Sequence, residues 1–364
     1  MKFRYPVYDP LADFIGVQSE FAWPCDRTQD LDTVLACPFK IALMPTFFNS
    51  DDQWPGINLP RIAIDLTQFD LVLFREIETR SWAKTDEWIR STGVNNYLLL
   101  AGSREPESPQ QHTLFNPYWM MRTLHVNPGY AIDQPGQKPY IFEAMMGARR
   151  PHRDYIMLAM TRSGLLQHSV VNYRGFPGGY TNMASKEFQN IFFDTELKFP
   201  YISPNYDPAW EPVSDIAYNT INFPIPSGLY QHTHYSIVPE TNFTGRGFFP
   251  TEKSTKVLLS QRVCIWFAPQ NFLQNLRNMG FETFGDVIDE SYDTDDFHRD
   301  WKRFERAWHA AEQLARFEDP AAVYQKLRPR LEHNRAHMLT LEQRCIAEWQ
   351  QRMQELIPAE HWSL

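Results

Sequence analysis

A chain of 364 residues has room for two domains of ordinary size, each able to bury its own core. With 43% hydrophobic, 22% charged and 15% aromatic residues, it has the balance of a folded enzyme, which excludes a disordered or fibrous protein. The net charge of −9 argues against a surface built throughout to grip nucleic acid, although a local basic cleft is compatible with it.

Four cysteines, Cys25, Cys37, Cys264 and Cys345, lie far apart without CxxC spacing, so neither a zinc site nor a redox motif is expected, and Cys264 reads as a small core residue. The opening MKFRYPVYDP has no apolar run of signal-peptide length, and no stretch of about 18 apolar residues follows anywhere. A soluble, cytoplasmic protein with no membrane span is the expectation.

In chain order, Pro6, Pro10, Pro24 and Pro38 interrupt every periodic pattern in the first segment. Ile41 to Phe47, Phe69 to Phe74 and Tyr97 to Ala101 then form apolar runs of strand length, with a helical span, Ser81 to Ser91, between the last two. Strand, helix, strand predicts a parallel sheet with a crossover helix. Such sheets carry function at their carboxyl ends, which selects Arg75, Glu76 and Glu78 just past FDLVLF, with Glu76 as the candidate base. The same REIETR also reads as a cluster of solvated ion pairs, and Asp51 and Asp52 are rival carboxylates. Ser103 to Gln137, rich in Pro, Gln and Asn, is expected to hold the interdomain connection; its Trp119, Arg122 and His125 either line a cleft or simply pack.

From Ile141 an apolar strand ending at Gly147, a basic loop (Arg149, Arg150, Pro151, His152, Arg153), a helix to Leu166 and a strand Ser169 to Tyr173 predict a βαβ opening. Pro151 suits a first helical turn, where cations oppose the helix dipole unless they serve an anion; an anion is the expected reason for them, with a basic surface turn as the alternative. Residues 174 to 226 read as loops with one helix. Gly175, Gly178 and Gly179 lack the GxGxxG spacing and no P-loop is present. His232 and His234 alternate as metal ligands might, but without an obvious third ligand hydrogen bonding or packing is expected of them.

Tyr235 to Lys256, YSIVPETNFTGRGFFPTEKSTK, predicts a strand, a glycine-containing loop and a helix starting at Thr251-Glu252-Lys253, with a buried strand Val263 to Phe267 beyond it. The loop carries Glu240 at its front edge and Glu252 with Lys253 at its back. A new helix offers unpaired N–H groups and a positive dipole end. Lys253 and Lys256 can neutralise a diphosphate, and either carboxylate can accept sugar or ribose hydroxyls.

These residues also carry a family resemblance. E-T-N followed by F-F-P-T-E-K resembles the donor-binding signature of α1,3-fucosyltransferases and related GT-B glycosyltransferases, and Gly280 to Phe284 (GFETF) with Asp289 to Asp293 (DESYD) is similar to a tail in glycosyltransferase-like proteins of phages and large viruses. The resemblance covers about residues 140–299. It implies that Arg153, before Asp154-Tyr155, stands where the fucosyltransferase pattern has an arginine. The expected absence of a membrane span departs from the animal fucosyltransferases, which carry an amino-terminal anchor, so Asn242-Phe243-Thr244 is expected to be a chance sequon.

After Glu290 the chain turns to charged helices. Phe297, Trp301, Phe304, Trp308 and Leu314 predict one aromatic face. Asp293-Thr294-Asp295 superficially resembles the metal-binding DxD of GT-A enzymes but is read as a cap for the helix it introduces. A final helix carries the seam Tyr324, Leu327, Leu331, Asn334, Met338, Leu341, Cys345, expected to pack on its own chain.

The expected whole is an α/β protein of two Rossmann-like domains facing a cleft (GT-B): an acceptor domain, 1–135, a nucleotide-sugar donor domain, 136–293, and a helical C-terminal extension, 294–364. It would act as a metal-independent glycosyltransferase needing no cofactor beyond its nucleotide-diphosphate sugar donor, with a glycan or modified nucleic-acid acceptor. Its donor-binding residues would be Arg149, Arg153, Glu240, Thr251, Glu252, Lys253 and Lys256, with Glu76 as base. The alternatives are a phage DNA glycosyltransferase acting on a hydroxymethylated base and a non-catalytic nucleotide- or sugar-binding protein of the same fold.

Overall fold

The structure, a computed structural model, describes residues 2–9, 26–45, 64–76, 82–104, 112–127, 129–130, 136–147, 150–173, 201–207, 210, 223–294 and 300–363. The chain divides into two compact units, Met1–Tyr118 with Leu341–Leu364, and Trp119–Thr340. Both are α/β with mainly parallel sheets.

In the first unit, β1 (Lys2–Phe3) pairs antiparallel with β13 (Trp362–Ser363), joining the two ends of the chain. Apart from that ribbon, β2 (Val7–Tyr8), β3 (Arg27–Thr28), β4 (Ile41–Pro45), β5 (Leu71–Glu76), β6 (Tyr97–Ala101) and β7 (Thr113–Phe115) form one parallel sheet in the order β3-β2-β4-β5-β6-β7. The inner strands are apolar on both faces, as a sheet covered on both sides requires: Ile41 to Met44, Leu71 to Phe74 and Leu98 to Leu100 are all buried. Helix α1 (Leu31–Leu35) is capped by Asp30, whose carboxylate accepts from the Thr33 amide, and α2 (Trp82–Ser91) is the expected crossover helix, bringing Ile89 into a core with Val72, Phe74 and Leu99. The ladder between β5 and β6 continues to the pair Glu76–Ala101, so Arg75 and Glu76, expected just past the strand, are its last two residues. The stretch expected to hold the interdomain connection does contain the boundary between the units, at Tyr118 and Trp119, and it also holds β7 and α3 (Tyr118–Val126), a nine-residue helix that buries Met120 and Met121.

In the second unit, β8 (Tyr140–Met146), β9 (Ser169–Tyr173), β10 (Tyr201–Ile202), β11 (Thr233–Pro239) and β12 (Cys264–Phe267) form a sheet ordered β10-β9-β8-β11-β12, parallel except for β10 at the edge. Helix α4 (Pro151–Arg162) joins β8 to β9, α5 (Ser227–His232) enters β11, α6 (Glu252–Leu259) joins β11 to β12, and α7 (Phe272–Asn278) follows. From β8 the chain steps first to β9 on one side and later to β11 and β12 on the other. The carboxyl ends of β8 and β11 are therefore a topological switch point, and right-handed crossovers in opposite directions put α4 and α6 on opposite faces. Helix α8 (Asp300–Ala315) packs on α4, and α9 (Pro320–Leu339) lies along α6.

Three local expectations change. Helix α4 ends at Arg162, four residues early, because Gly164 turns left-handed (φ 74°) into a 3-10 turn over Leu165–His168. The seam from Tyr324 to Cys345 does not lie on one helix: α9 stops at Leu339, and α10 (Leu341–Leu356) belongs to the first unit. Asp293 caps not the helix after it but α7 before it, accepting from the Leu273 amide at 2.8 Å and the Gln274 amide at 2.9 Å. Helix α7 needs this distant cap because its own N-cap residue, Asn271, is left-handed (φ 61°) and makes no side-chain capping bond.

The strip GFETFGD is bound by α9. Asn334 gives its amide to the Glu282 carbonyl and takes the Glu282 N–H, both at 2.7 Å, as a strand neighbour would. His337 and His333 donate to the carbonyls of Met279 and Gly280. Gly280 sits at φ 93°, and a Cβ there would lie 2.7 Å from the His337 ring, so this close crossing requires glycine.

Candidate functional site

The switch point of the second unit brings together the first turn of α4, the end of β11 and the first turn of α6. Arg150 stands in extended conformation at the N-cap of α4 without a side-chain capping bond, and Pro151 begins the helix. His152, Arg153 and Asp154 behind them are buried, which is unusual for charged residues unless partners hold them. Asp154 accepts from the Tyr173 hydroxyl at 2.6 Å. The Arg153 guanidinium donates to the Pro239 carbonyl at 3.4 Å and passes over Gly147, so it spans the ends of β8 and β11. Burial, with Arg150 beside it, lowers Arg153 to about 10 against the opposing pull of Tyr173, Glu252 and Glu240.

His152 points Nε2 at the Glu240 carbonyl, 2.9 Å away, and since a carbonyl only accepts, Nε2 carries the proton. The ring stacks on Phe243 at 4.3 Å. Burial, and then the positive charge of Arg153, Arg150 and Lys253, push the imidazole well below its ordinary value, so it is neutral.

Glu240 continues the β11 ladder by donating its N–H to the Phe267 carbonyl at 3.0 Å. Its side chain is wholly buried, and its oxygens accept from the amides of Thr241 and Thr251, each at 3.2 Å, and from the hydroxyls of Thr251 and Ser254, each at 2.5 Å. Ser254 in turn accepts from Trp266 Nε1 at 3.0 Å. Thr251 is also the N-cap of α6: its hydroxyl takes the Lys253 amide at 3.4 Å and Lys253 Nζ at 3.3 Å while donating to Glu240. That exhausts one donor and two acceptor sites.

Lys253 Nζ further donates to Glu252 Oε1 at 2.6 Å and Thr241 Oγ1 at 3.2 Å. Burial alone would raise the Glu252 carboxyl, but Lys253 and Lys256 outweigh it and hold it below the usual carboxylate range. Arg153 and Lys253 thus approach the same strand end, Arg153 at the Pro239 carbonyl and Lys253 at the Thr241 hydroxyl.

Of the residues singled out in the sequence, Arg153, Glu240, Thr251, Glu252 and Lys253 meet here, and Lys256 lies one turn further along α6. Arg149 lies outside the described residues, as do Asp51, Asp52 and Glu78. Glu76 ends β5 in the first unit. Trp119 stacks on Phe223 at 5.5 Å with Arg122 beside the same ring. His232 bonds the Gly228 carbonyl and stacks on Trp210, while His234 takes the Lys138 amide. Among the described residues no group of three or more His, Cys, Asp or Glu could hold a metal ion, and no helix is long and apolar enough to cross a membrane. The sequence pointed to His152 only as a member of the basic loop, and not to Ser254, for which a hydroxyl three residues after a threonine cap was the available signal.

In comparison with known proteins, no family model matches this chain, and no curated protein matches it in sequence.

Proposed function

We propose that this protein is a glycosyltransferase that uses a nucleotide-diphosphate sugar, with the diphosphate at the β8/β11 switch point and the two parallel-sheet units as the halves of a GT-B fold. The observation that supports it is the arrival of Arg150, Arg153 and Lys253 at the carboxyl edge of one sheet, beside the amino ends of two helices. In the reaction an acceptor hydroxyl loses its proton to a base, with Glu76 as candidate, and its oxygen bonds to the sugar carbon as that carbon's bond to the diphosphate breaks. Arg153 and Lys253 stabilise the charge gathering on the departing nucleotide. No metal is assigned to this step.

The test is a calorimetric titration of GDP- and UDP-sugars, followed by donor hydrolysis without acceptor. Binding with turnover supports the enzyme; binding without turnover supports an inert sugar-nucleotide-binding protein; no binding removes the reading. Chelator is expected to leave turnover intact, and a loss restored by Mn²⁺ would require a metal-dependent mechanism.

A further inference from the structure

Glu240 reads in the sequence as an acceptor for ligand hydroxyls, yet its four acceptor positions are filled by the chain itself and none of its surface is exposed. The donors come from both ends of one loop: Thr241 at its start, Thr251 and Ser254 at the start of α6. The loop is also gripped from outside, by Arg303 on the Phe243 carbonyl at 2.6 Å and by the Gln270 amide on the Gly245 carbonyl at 3.1 Å. Lys253 hangs from the same frame, since two of its Nζ partners, Thr241 and Thr251, are residues that Glu240 holds.

We propose that Glu240 is the positioning residue of the switch-point anion site: it touches no ligand, but fixes loop 241–250 and the first turn of α6 as one body, and so sets where Lys253 is presented. This rests on the phosphate-binding reading above. It also divides the two carboxylates of the motif, leaving Glu252, at the edge of the buried region and paired with Lys253, as the one placed to meet solvent or ligand.

The geometry makes Glu240→Gln an informative change. Oε1 receives the Thr251 amide and Oε2 the Thr241 amide. The Ser254 hydroxyl can rotate to accept from a glutamine NH2, whereas the Thr251 hydroxyl already accepts twice from Lys253, and a backbone N–H cannot accept at all. In either orientation of the amide one of these two N–H groups therefore faces another donor, and the loop or the helix start is released.

The experiment uses the full chain, with inorganic pyrophosphate and GDP as probes. Hydrogen exchange at the Thr241 and Thr251 amides is expected to quicken about 10-fold or more in Glu240→Gln, with β8 and β12 unchanged. Affinity for both probes is expected to fall about 10-fold at a temperature far below the melting point, where a purely stabilising residue would leave the affinity of the folded protein unchanged. Ser254→Ala, which keeps both amide bonds, is expected to lose about 3-fold, and it carries the test if the glutamine variant does not fold. Exchange or affinity equal to wild type in Glu240→Gln, or unchanged affinity in Ser254→Ala, overturns the positioning role while leaving the site standing. Failure of the wild type to bind either probe overturns the phosphate reading and the inference with it.

Discussion

Replacing Lys253 by alanine separates what this lysine does for the fold from what it does for a ligand. Its ammonium reaches Glu252 at 2.6 Å, Thr241 at 3.2 Å and Thr251 at 3.3 Å, and the side chains of the ion pair are only 20% and 11% exposed. Removing one partner from a pair this sheltered leaves Glu252 desolvated beside Lys256, a cost of about 2 kcal/mol, below the full penalty for a completely buried charge. For a domain of this size that corresponds to a fall in Tm of about 4–8 °C. Affinity for a nucleotide diphosphate is expected to fall about 100-fold, or about 2.7 kcal/mol, as for the loss of one charge contact to phosphate. The double variant Glu252→Gln/Lys253→Ala removes the stranded carboxylate too, so it is expected to recover most of the stability and little of the affinity. Urea unfolding measures the first quantity and calorimetric titration well below both melting points the second. Nucleotide affinity within about twofold of wild type in Lys253→Ala, or restored by the double variant, would refute the assignment of this lysine to the ligand.

Glu252→Gln alone removes the anion that now occupies Lys253, so affinity for inorganic pyrophosphate is expected to rise, by roughly 3–10-fold, because a competing charge of roughly 1 kcal/mol is gone; an unchanged or lower affinity would show that the ion pair does not compete. Gly280→Ala is expected to cost about 2–3 kcal/mol in urea unfolding, since φ 93° and the His337 ring at 2.7 Å both exclude a Cβ, and a loss under about 0.5 kcal/mol would mean that α9 yields at this crossing. Burial raises the Glu143 carboxyl despite opposition from Arg262, Ser236 and Lys256. A carboxyl raised on folding contributes stability that is full below its unfolded value of about 4.3 and is lost as pH rises through the folded value. Stability measured across that interval should fall with rising pH in the wild type by more than in Glu143→Gln, and parallel curves would remove Glu143 as the source.

The βαβ opening, the strand Tyr97 to Ala101 and the start of α6 at a threonine cap were all legible, because apolar runs and capping residues act within a few positions of themselves. The short strands β2, β3 and β7 were not. Two or three residues carry no period, and such segments become strands only when a longer neighbour offers a ladder. Asp293 shows the same limit in a cap: an aspartate before a helical pattern reads as the cap of that helix, yet the unpaired amides nearest to it in space belong to α7.

The sequence by itself determined that two α/β units are present, that basic residues begin α4, and that Thr251-Glu252-Lys253 begin a helix after a strand. Tertiary structure alone decided that these places are one place, since the strand order β9-β8-β11-β12 sets the end of β8 beside the end of β11 and joins His152 to Glu240 across 88 positions. It decided too that Glu240 is enclosed while Glu252 is paired with a lysine. Closing loop 241–250 brings the Thr251 and Ser254 donors back onto Glu240, 11 and 14 positions away, whereas Glu252 keeps the lysine next to it in sequence.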